Sequence, residues 1–193
     1  MRKYSDCPAV VREFLSYHEN IKAQSPRTIA EYHLDMRMFL RFMKLMREGR
    51  SLNVAFEDVD IRDIDLDFIA GITTSDVYEF LSWLANDRTA DPDAPASERG
   101  ISASSRARKL SALKSFYKFL TVRTKQLDEN PVADLEYPKL RRSLPRYLTL
   151  EQSAALLNAV SGPNEKRDYA ILMIFLNCGI RRSELVGLNL SDV

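Results

Sequence analysis

The chain is poor in several things, and each shortage excludes a class of protein. It has two cysteines in 193 residues, Cys7 and Cys178, far apart and in no metal-binding spacing. That count excludes a disulfide-stapled secreted fold and fits a reduced, cytoplasmic setting. No apolar run approaches the roughly 20 residues that cross a bilayer, so no membrane partner is expected. The opening Met1-Arg-Lys-Tyr-Ser-Asp has no apolar signal core, which argues against export. The two histidines, His18 and His33, lie in amphipathic stretches with no second ligand at metal spacing. Both read as packing or surface residues, and no metal or other cofactor is expected. No segment offers a clean run of alternating strands, and no internal repeat or low-complexity tract is evident.

An excess of one sign of charge is also lacking: the formal net charge is +1. That total hides segregation. Residues 99–125 carry Arg99, Arg106, Arg108, Lys109, Lys114, Lys118, Arg123 and Lys125 with no Asp or Glu, whereas residues 57–67 carry Glu57, Asp58, Asp60, Asp63, Asp65 and Asp67 against Arg62 alone. A near-neutral protein with a local basic block can still hold nucleic acid on that face. Hydrophobic content of 45% and charged content of 28% are ordinary for a globular protein of one or two domains.

What is present reads as helix. A first helix is expected over about Pro8 to Ala23 with Val11, Phe14 and Leu15 inward. Ser25-Pro26 starts a second, a serine cap followed by proline at the first helical position, with Ile29, Tyr32, Met36, Phe39, Leu40 and Met43 on one face. The mixed acidic and apolar stretch 53–70 reads as a surface connection. Thr73 or Thr74 caps a third helix, residues 86–101 are loop by composition, and a fourth helix covers about 102–124. After it come Asp128-Glu-Asn-Pro-Val and the basic, proline-containing Tyr137 to Tyr147. Thr149 with Gln152 three residues on is a capping box. Helices follow to about Val160 and over about 166–178, and another begins at Arg181. The expected organisation is a domain over 1–126, a basic linker over 127–145 and a second helical unit over 146–193.

Three constellations carry candidate chemistry. On the fourth helix, Ser104, Arg108, Ser111, Ser115 and Lys118 form one stripe at intervals of four and three, with Arg106, Lys109 and Lys114 beside it. Short serines would let a phosphate chain approach closely while the cations supply charge; an ordinary solvated face is the alternative, which the lack of acids disfavours. On the second helix Arg37 and Arg41 cluster with His33 and Lys44, and Arg27 and Thr28 open the helix; Glu31 and Asp35 nearby weaken that signal. The third is Leu176-Asn-Cys-Gly-Ile-Arg-Arg-Ser-Glu-Leu-Val-Gly-Leu. Arg181 falls in the first turn of a helix, where backbone N–H groups and a guanidinium can face one anion.

That last segment resembles the first active-site arginine motif of the tyrosine recombinases, the phage-integrase and Xer-type enzymes. Gly179, Arg181, Ser183, Glu184 and Leu185 keep its spacing, while Cys178 stands for threonine and Ile180 for leucine. Further blocks resemble the same family in the same order. Pro26-Arg27-Thr28 with Tyr32 matches the second helix of its core-binding domain, and Ser104 to Leu120 the fourth. Asn130-Pro131, Pro138-Lys139, Leu144-Pro145 and Leu148-Thr149 match its linker.

The resemblance implies an all-α chain: a four-helix SAM-like core-binding domain, then a truncated, mainly helical start of a catalytic domain. It implies site-specific recombination of double-stranded DNA through a 3′-phosphotyrosyl intermediate, in a homo- or hetero-tetramer on paired sites, with no metal or high-energy cofactor. Arg181 takes the phosphate-stabilising role and Glu184 the supporting one. Arg141 and Arg142 join the DNA contacts through the linker. The family's second arginine, lysine, histidine box and tyrosine nucleophile have no counterparts, so the chain alone is expected to be inactive. The competing readings are a non-catalytic DNA-binding or accessory module and a helical protein-interaction domain.

Overall fold

The computed structural model describes residues 3–52, 56–88, 95, 99–140, 146–189 and 192. Among them every regular element is helical and none is a strand. The chain divides into two compact units, Met1–Arg141 and Arg142–Val193.

In the first unit the long helices are α1 (Ala9–Asn20), α2 (Pro26–Arg47), α4 (Thr74–Asn86) and α5 (Ala103–Lys118), with a short α3 (Leu66–Ala70) between α2 and α4. Helix α2 packs against α1, α4 and α5. Its start follows the expected chemistry: Ser25 Oγ accepts the Thr28 N–H at 3.2 Å, and Pro26 occupies the first turn, where its missing N–H has no partner to lose. Thr73 and Asp76 close a reciprocal capping box on α4, with N–H to oxygen distances of 3.2 and 2.7 Å. Ser102 caps α5 through the Ser105 N–H at 3.1 Å.

Aromatic rings fill the space between these helices. Phe14 of α1 meets Phe116 of α5 edge-on at 5.3 Å. Phe39 and Phe42 of α2 each lie 5.2 Å from Phe80 of α4. Trp83 stacks on Phe56 at 5.2 Å, which places the lone tryptophan at the edge of the core.

Two boundaries differ from the sequence expectation. The acidic stretch 53–70 is more than a surface connection: Val59, Ile61, Ile64 and Ile69 are buried, and Leu66–Ala70 is helical. Its carboxylates and carbonyls also hold the cationic face of α2. Arg41 donates to the Val59 carbonyl at 3.1 Å, the Glu57 carbonyl at 2.7 Å and the Glu57 carboxylate at 2.8 Å. Lys44 reaches the Asp60 carbonyl at 2.9 Å and both Asp63 oxygens at 2.7 Å. Glu57 and Asp63 are therefore countercharges for a helix that precedes them, while the Asp60 carboxylate is taken by Arg62 and Asp65 caps α3. The second difference concerns the linker expected from residue 127. Leu127, Val132 and Leu135 are buried in the core of the first unit. Lys114 donates to the Ala133 carbonyl at 2.9 Å and Thr74 to the Pro131 carbonyl at 2.9 Å, so this part of the chain is stapled down.

Gly100 marks where the chain re-enters before α5. Its φ is +84°, and a Cβ there would lie 2.0 Å from the Ala85 carbonyl oxygen. The close approach lets the Gly100 N–H bond the Arg88 carbonyl at 2.7 Å and the Ile101 N–H bond the Leu84 carbonyl at 2.8 Å.

One ionic cluster joins α2 to α5. Asp35 is 2% exposed. Arg108 brackets its carboxylate at 2.6 and 2.9 Å, and Lys109 adds a bond of 2.8 Å. Arg108 also lies 3.1 Å from Glu31. A carboxylate so far from water is tolerable only with its charge met and its lone pairs filled.

The second unit contains α6 (Leu150–Asn158), α7 (Glu165–Cys178) and α8 (Arg182–Val186), and α6 packs on α7. Thr149 and Gln152 form the expected capping box, with bonds of 3.2 and 2.9 Å. Gly179 ends α7 in the left-handed region at φ +60°, as a helix-terminating glycine should. Ile171, Leu172, Ile174, Phe175 and Leu185 are only half-buried, and no described residue of this unit is fully buried.

Two outcomes follow. The double variant Arg108→Ala, Lys109→Ala strips both cations from a buried carboxylate and is expected to lower stability by about 3–5 kcal/mol in urea unfolding; a loss under about 1 kcal/mol would show that the cluster does not support the fold. Amide hydrogen exchange over 150–186 is expected to be much faster than in α2 and α5, because little apolar surface is removed from water there. Equal protection in the two units would contradict that.

Candidate nucleic-acid interface

The structure sorts the expected DNA-facing residues by what already occupies them. Arg41 is 6% exposed and its guanidinium is filled by Glu57 and Val59, so the expectation that it faces a ligand is corrected. Lys109 is corrected likewise, with 12% of its side chain exposed and its ammonium on Asp35. Arg37 lies 3.0 Å from Asp6 and 3.1 Å from Glu57. In each case the partner comes from another element, a pairing that residue spacing along one helix does not reveal. Arg41's guanidinium also holds the Glu57 carboxyl below its ordinary range, against the opposing effect of burial.

On α5, Arg106 donates to the Ile101 carbonyl at 2.6 Å and so helps fix the helix entry. Ser111 lies 3.4 Å from the Tyr137 hydroxyl, and Lys114 sits over the Tyr137 ring at 5.4 Å. Arg108 keeps 44% of its side chain exposed despite its bonds to Asp35. Ser104 and Lys118 are exposed and have no side-chain hydrogen bond or ion pair to a described residue. The same is true of Arg27 at the start of α2, while Thr28 belongs to the Ser25 cap. Arg141 and Arg142 lie outside the described residues.

Both histidines have defined partners. His33 Nε2 is 3.0 Å from Asp6 Oδ1, and with Cys7 these two place three potential metal-ligand atoms within 4.8 Å of one another. Sequence spacing could not show this meeting, because Asp6 and Cys7 precede α1 whereas His33 lies on α2. Burial pushes the Cys7 thiol up to about 12, which keeps it protonated, and Arg37 already lies against Asp6. The trio is therefore a polar clasp between the N-terminal segment and α2. His18 is 7% exposed at the junction of α1, α2 and α5. Its Nδ1 is 2.9 Å from Gln24 Oε1 and its Nε2 is 3.2 Å from Ser115 Oγ. Burial lowers its pKa, so the neutral ring is favoured.

Beside His18 the sequence reading missed a concavity lined by Tyr17, Lys22, Ser115, Lys118, Phe119 and Arg123. Its cations come from the segment just after α1, the end of α5 and a wider helical turn over Phe119–Arg123. In that turn the Thr124 N–H reaches back to the Phe119 carbonyl at 3.0 Å. Regular α-helical phase would place Arg123 about 140° from Lys118, and the wider turn alters that phase. No side-chain pattern announced the wider turn.

In the second unit, Arg181 precedes α8 and is 82% exposed at its side chain. Glu184 accepts its backbone N–H at 2.6 Å and its guanidinium at 2.8 Å. The motif's arginine and glutamate thus engage each other. Among the described residues neither histidine nor tyrosine joins them by hydrogen bond. No helix there is long and apolar enough to cross a membrane.

Residues 11–124 match the phage integrase N-terminal SAM-like domain. Over 186 residues the chain is 44% identical to the tyrosine recombinase XerC of Caldanaerobacter subterraneus subsp. tengcongensis, covering 96% of this chain and 50% of that protein. It is 30% identical over 185 residues to the tyrosine recombinase XerD of Halalkalibacterium halodurans, covering 95% of this chain and 52% of that one. For the tyrosine recombinase XerC of Myxococcus xanthus the identity is 32% over 189 residues, with 95% and 51% covered. The chain spans about half the length of the curated relatives it matches. With a helical unit matched from α1 through the turn after α5 and an arginine motif beyond it, the chain belongs to the tyrosine recombinase, or phage-integrase, family on its Xer-like side.

Proposed function

We propose that this chain supplies the duplex-gripping part of a site-specific tyrosine recombinase, together with the first arginine of its phosphate site. The observation that carries the reading is the match of residues 11–124, which coincides with a helical unit whose acid-free helix keeps exposed cations after its internal pairs are formed. Arg27, Ser104, Arg108 and Lys118 are the proposed DNA contacts, acting on the backbone by charge and close approach. Arg37, Arg41 and Lys109 act one step back, by holding α2, α5 and the acidic stretch in place.

Arg181 is the proposed stabiliser of a pentavalent phosphate in the whole enzyme. Glu184 orients it: the carboxylate fixes both the backbone and the guanidinium, leaving the rest of that planar fork for an anion. The whole enzyme would break and rejoin DNA through a tyrosine ester, in a tetramer on paired sites, within the cytoplasm. The competing reading is a DNA-binding module without catalysis.

Two measurements separate these readings. The chain is expected to bind duplex DNA with an affinity that falls steeply as salt rises; absence of binding at low salt would leave a protein-interaction domain instead. In the enzyme carrying this sequence at full length, a nicked suicide duplex is expected to trap a covalent adduct, and Arg181→Ala to cut its formation by about 100-fold or more, as removal of one charge-stabilising group does elsewhere. An unaffected alanine variant would remove Arg181 from the site, and lack of any adduct in the parent would favour the non-catalytic module.

A further inference from the structure

Most cations of the first unit's α2–α5 framework are met by a carboxylate or a carbonyl from another element. The concavity beside His18 breaks that pattern. Lys22, Lys118 and Arg123 line it together, no carboxylate lines it, and none of the three forms an ion pair or side-chain hydrogen bond with a described residue. Like charges gathered at one mouth repel unless an anion shares them. The remaining lining is Ser115, hydrogen-bonded to His18, with His18 itself, Tyr17 and Phe119.

The hydrogen bonds behind the pocket fix a direction. Gln24 Oε1 can only accept, so His18 Nδ1 carries the proton and neutral Nε2 accepts from the Ser115 hydroxyl. In that state Ser115 spends its proton inward. A second proton on the ring, at Nε2, reverses the bond: Nε2–H donates to Ser115 Oγ, and the hydroxyl hydrogen is released to point into the concavity.

We propose that this concavity seats one backbone phosphate of duplex DNA between Lys22, Lys118 and Arg123, and that protonation of His18 adds Ser115 as a further donor to it. The proposal rests on the duplex-binding reading above and names a contact within it. The groups facing His18 are Tyr17 from α1, Lys22 from the segment just after it, Tyr32 from α2, Ser115 and Lys118 from α5, and Arg123 from the turn beyond. Burial and, to a smaller extent, Lys22 oppose a charge on the ring, against the Gln24 hydrogen bond that favours it. A phosphate neutralising Lys22 relieves part of that opposition, so binding and proton uptake favour each other. The sign follows: the free protein holds His18 neutral at neutral pH, and duplex affinity strengthens as pH falls through and below the ordinary histidine range.

The test uses the chain with the variant Lys22→Gln, Lys118→Gln, Arg123→Gln, all three sites exposed, alongside the parent. Duplex affinity is measured against salt and pH, and the His18 ring is followed by NMR titration, free, with duplex and with inorganic phosphate. The expected result is a loss of about ten-fold or more at low salt, a salt slope shallower by about one, and an unchanged melting temperature. Duplex should raise the His18 titration midpoint in the parent and leave it in place in the variant. A parent that binds duplex with the His18 midpoint unmoved, or a variant with unchanged affinity and slope, overturns the phosphate seat while leaving DNA binding intact. A midpoint raised by inorganic phosphate but not by duplex makes the pocket a small-anion site and overturns the backbone assignment. A parent that binds no duplex overturns both the seat and the reading on which it rests.

Discussion

Helix α2 must keep an ionised carboxylate and a guanidinium out of water, and the first unit is arranged around meeting those two charges. Asp35 and Arg41 lie six residues apart on the helix that touches three others, and both are almost wholly buried. A lone ion in such a place would be prohibitive. Asp35 recruits Arg108 and Lys109 and thereby positions α5. Arg41 recruits Glu57 and the Val59 carbonyl and thereby draws the acidic stretch onto the helix. The aromatic contacts between Phe14 and Phe116, and between Phe39, Phe42 and Phe80, supply non-directional attraction, while the charges restrict how the helices slide past one another.

The same constraint explains why the basic block is a poor guide to the binding face. An acid-free helix looks like a polyanion ligand site when its own sequence neighbours are the only candidates for pairing. Its acids are instead on α2, at Glu31 and Asp35. Once they are counted, the exposed positive charge on α5 shifts towards its C-terminal end, at Lys118, where the segment after α1 contributes Lys22 and the turn after α5 contributes Arg123. Part of the basic block thus serves assembly and part remains available to a ligand.

Local chemistry was therefore readable, and chemistry that depends on distant pairing was not. Ser25-Pro26, a threonine cap at 73 or 74, Thr149 with Gln152 and Gly179 act within a single turn, so residue order is enough to reveal them. Arg41 and Lys109 were misjudged because the counter-ions that bury them lie on other elements. Leu127, Val132 and Leu135 hid in a segment whose prolines and charges suggest a linker, yet three apolar side chains suffice to dock it. In the same way the carboxylates of 57–67 masked Val59, Ile61 and Ile64. The arginine motif was legible as a lineage mark, whereas the wider turn that alters the phase of Arg123 had no residue signature.

The glycine before α5 has a consequence for how such a fold can diversify. Its tight approach to Ala85, with bonds from Gly100 to Arg88 and from Ile101 to Leu84, holds Gly100 within one hydrogen bond of Arg88. Loop-closure entropy grows only slowly with length. The number of residues inserted there can therefore change greatly while α5 stays in register with α2, provided the glycine gate is kept. The Arg88–Gly100 closure thus serves as an insertion port, a place where a lineage could graft new contacts without disturbing the ionic frame.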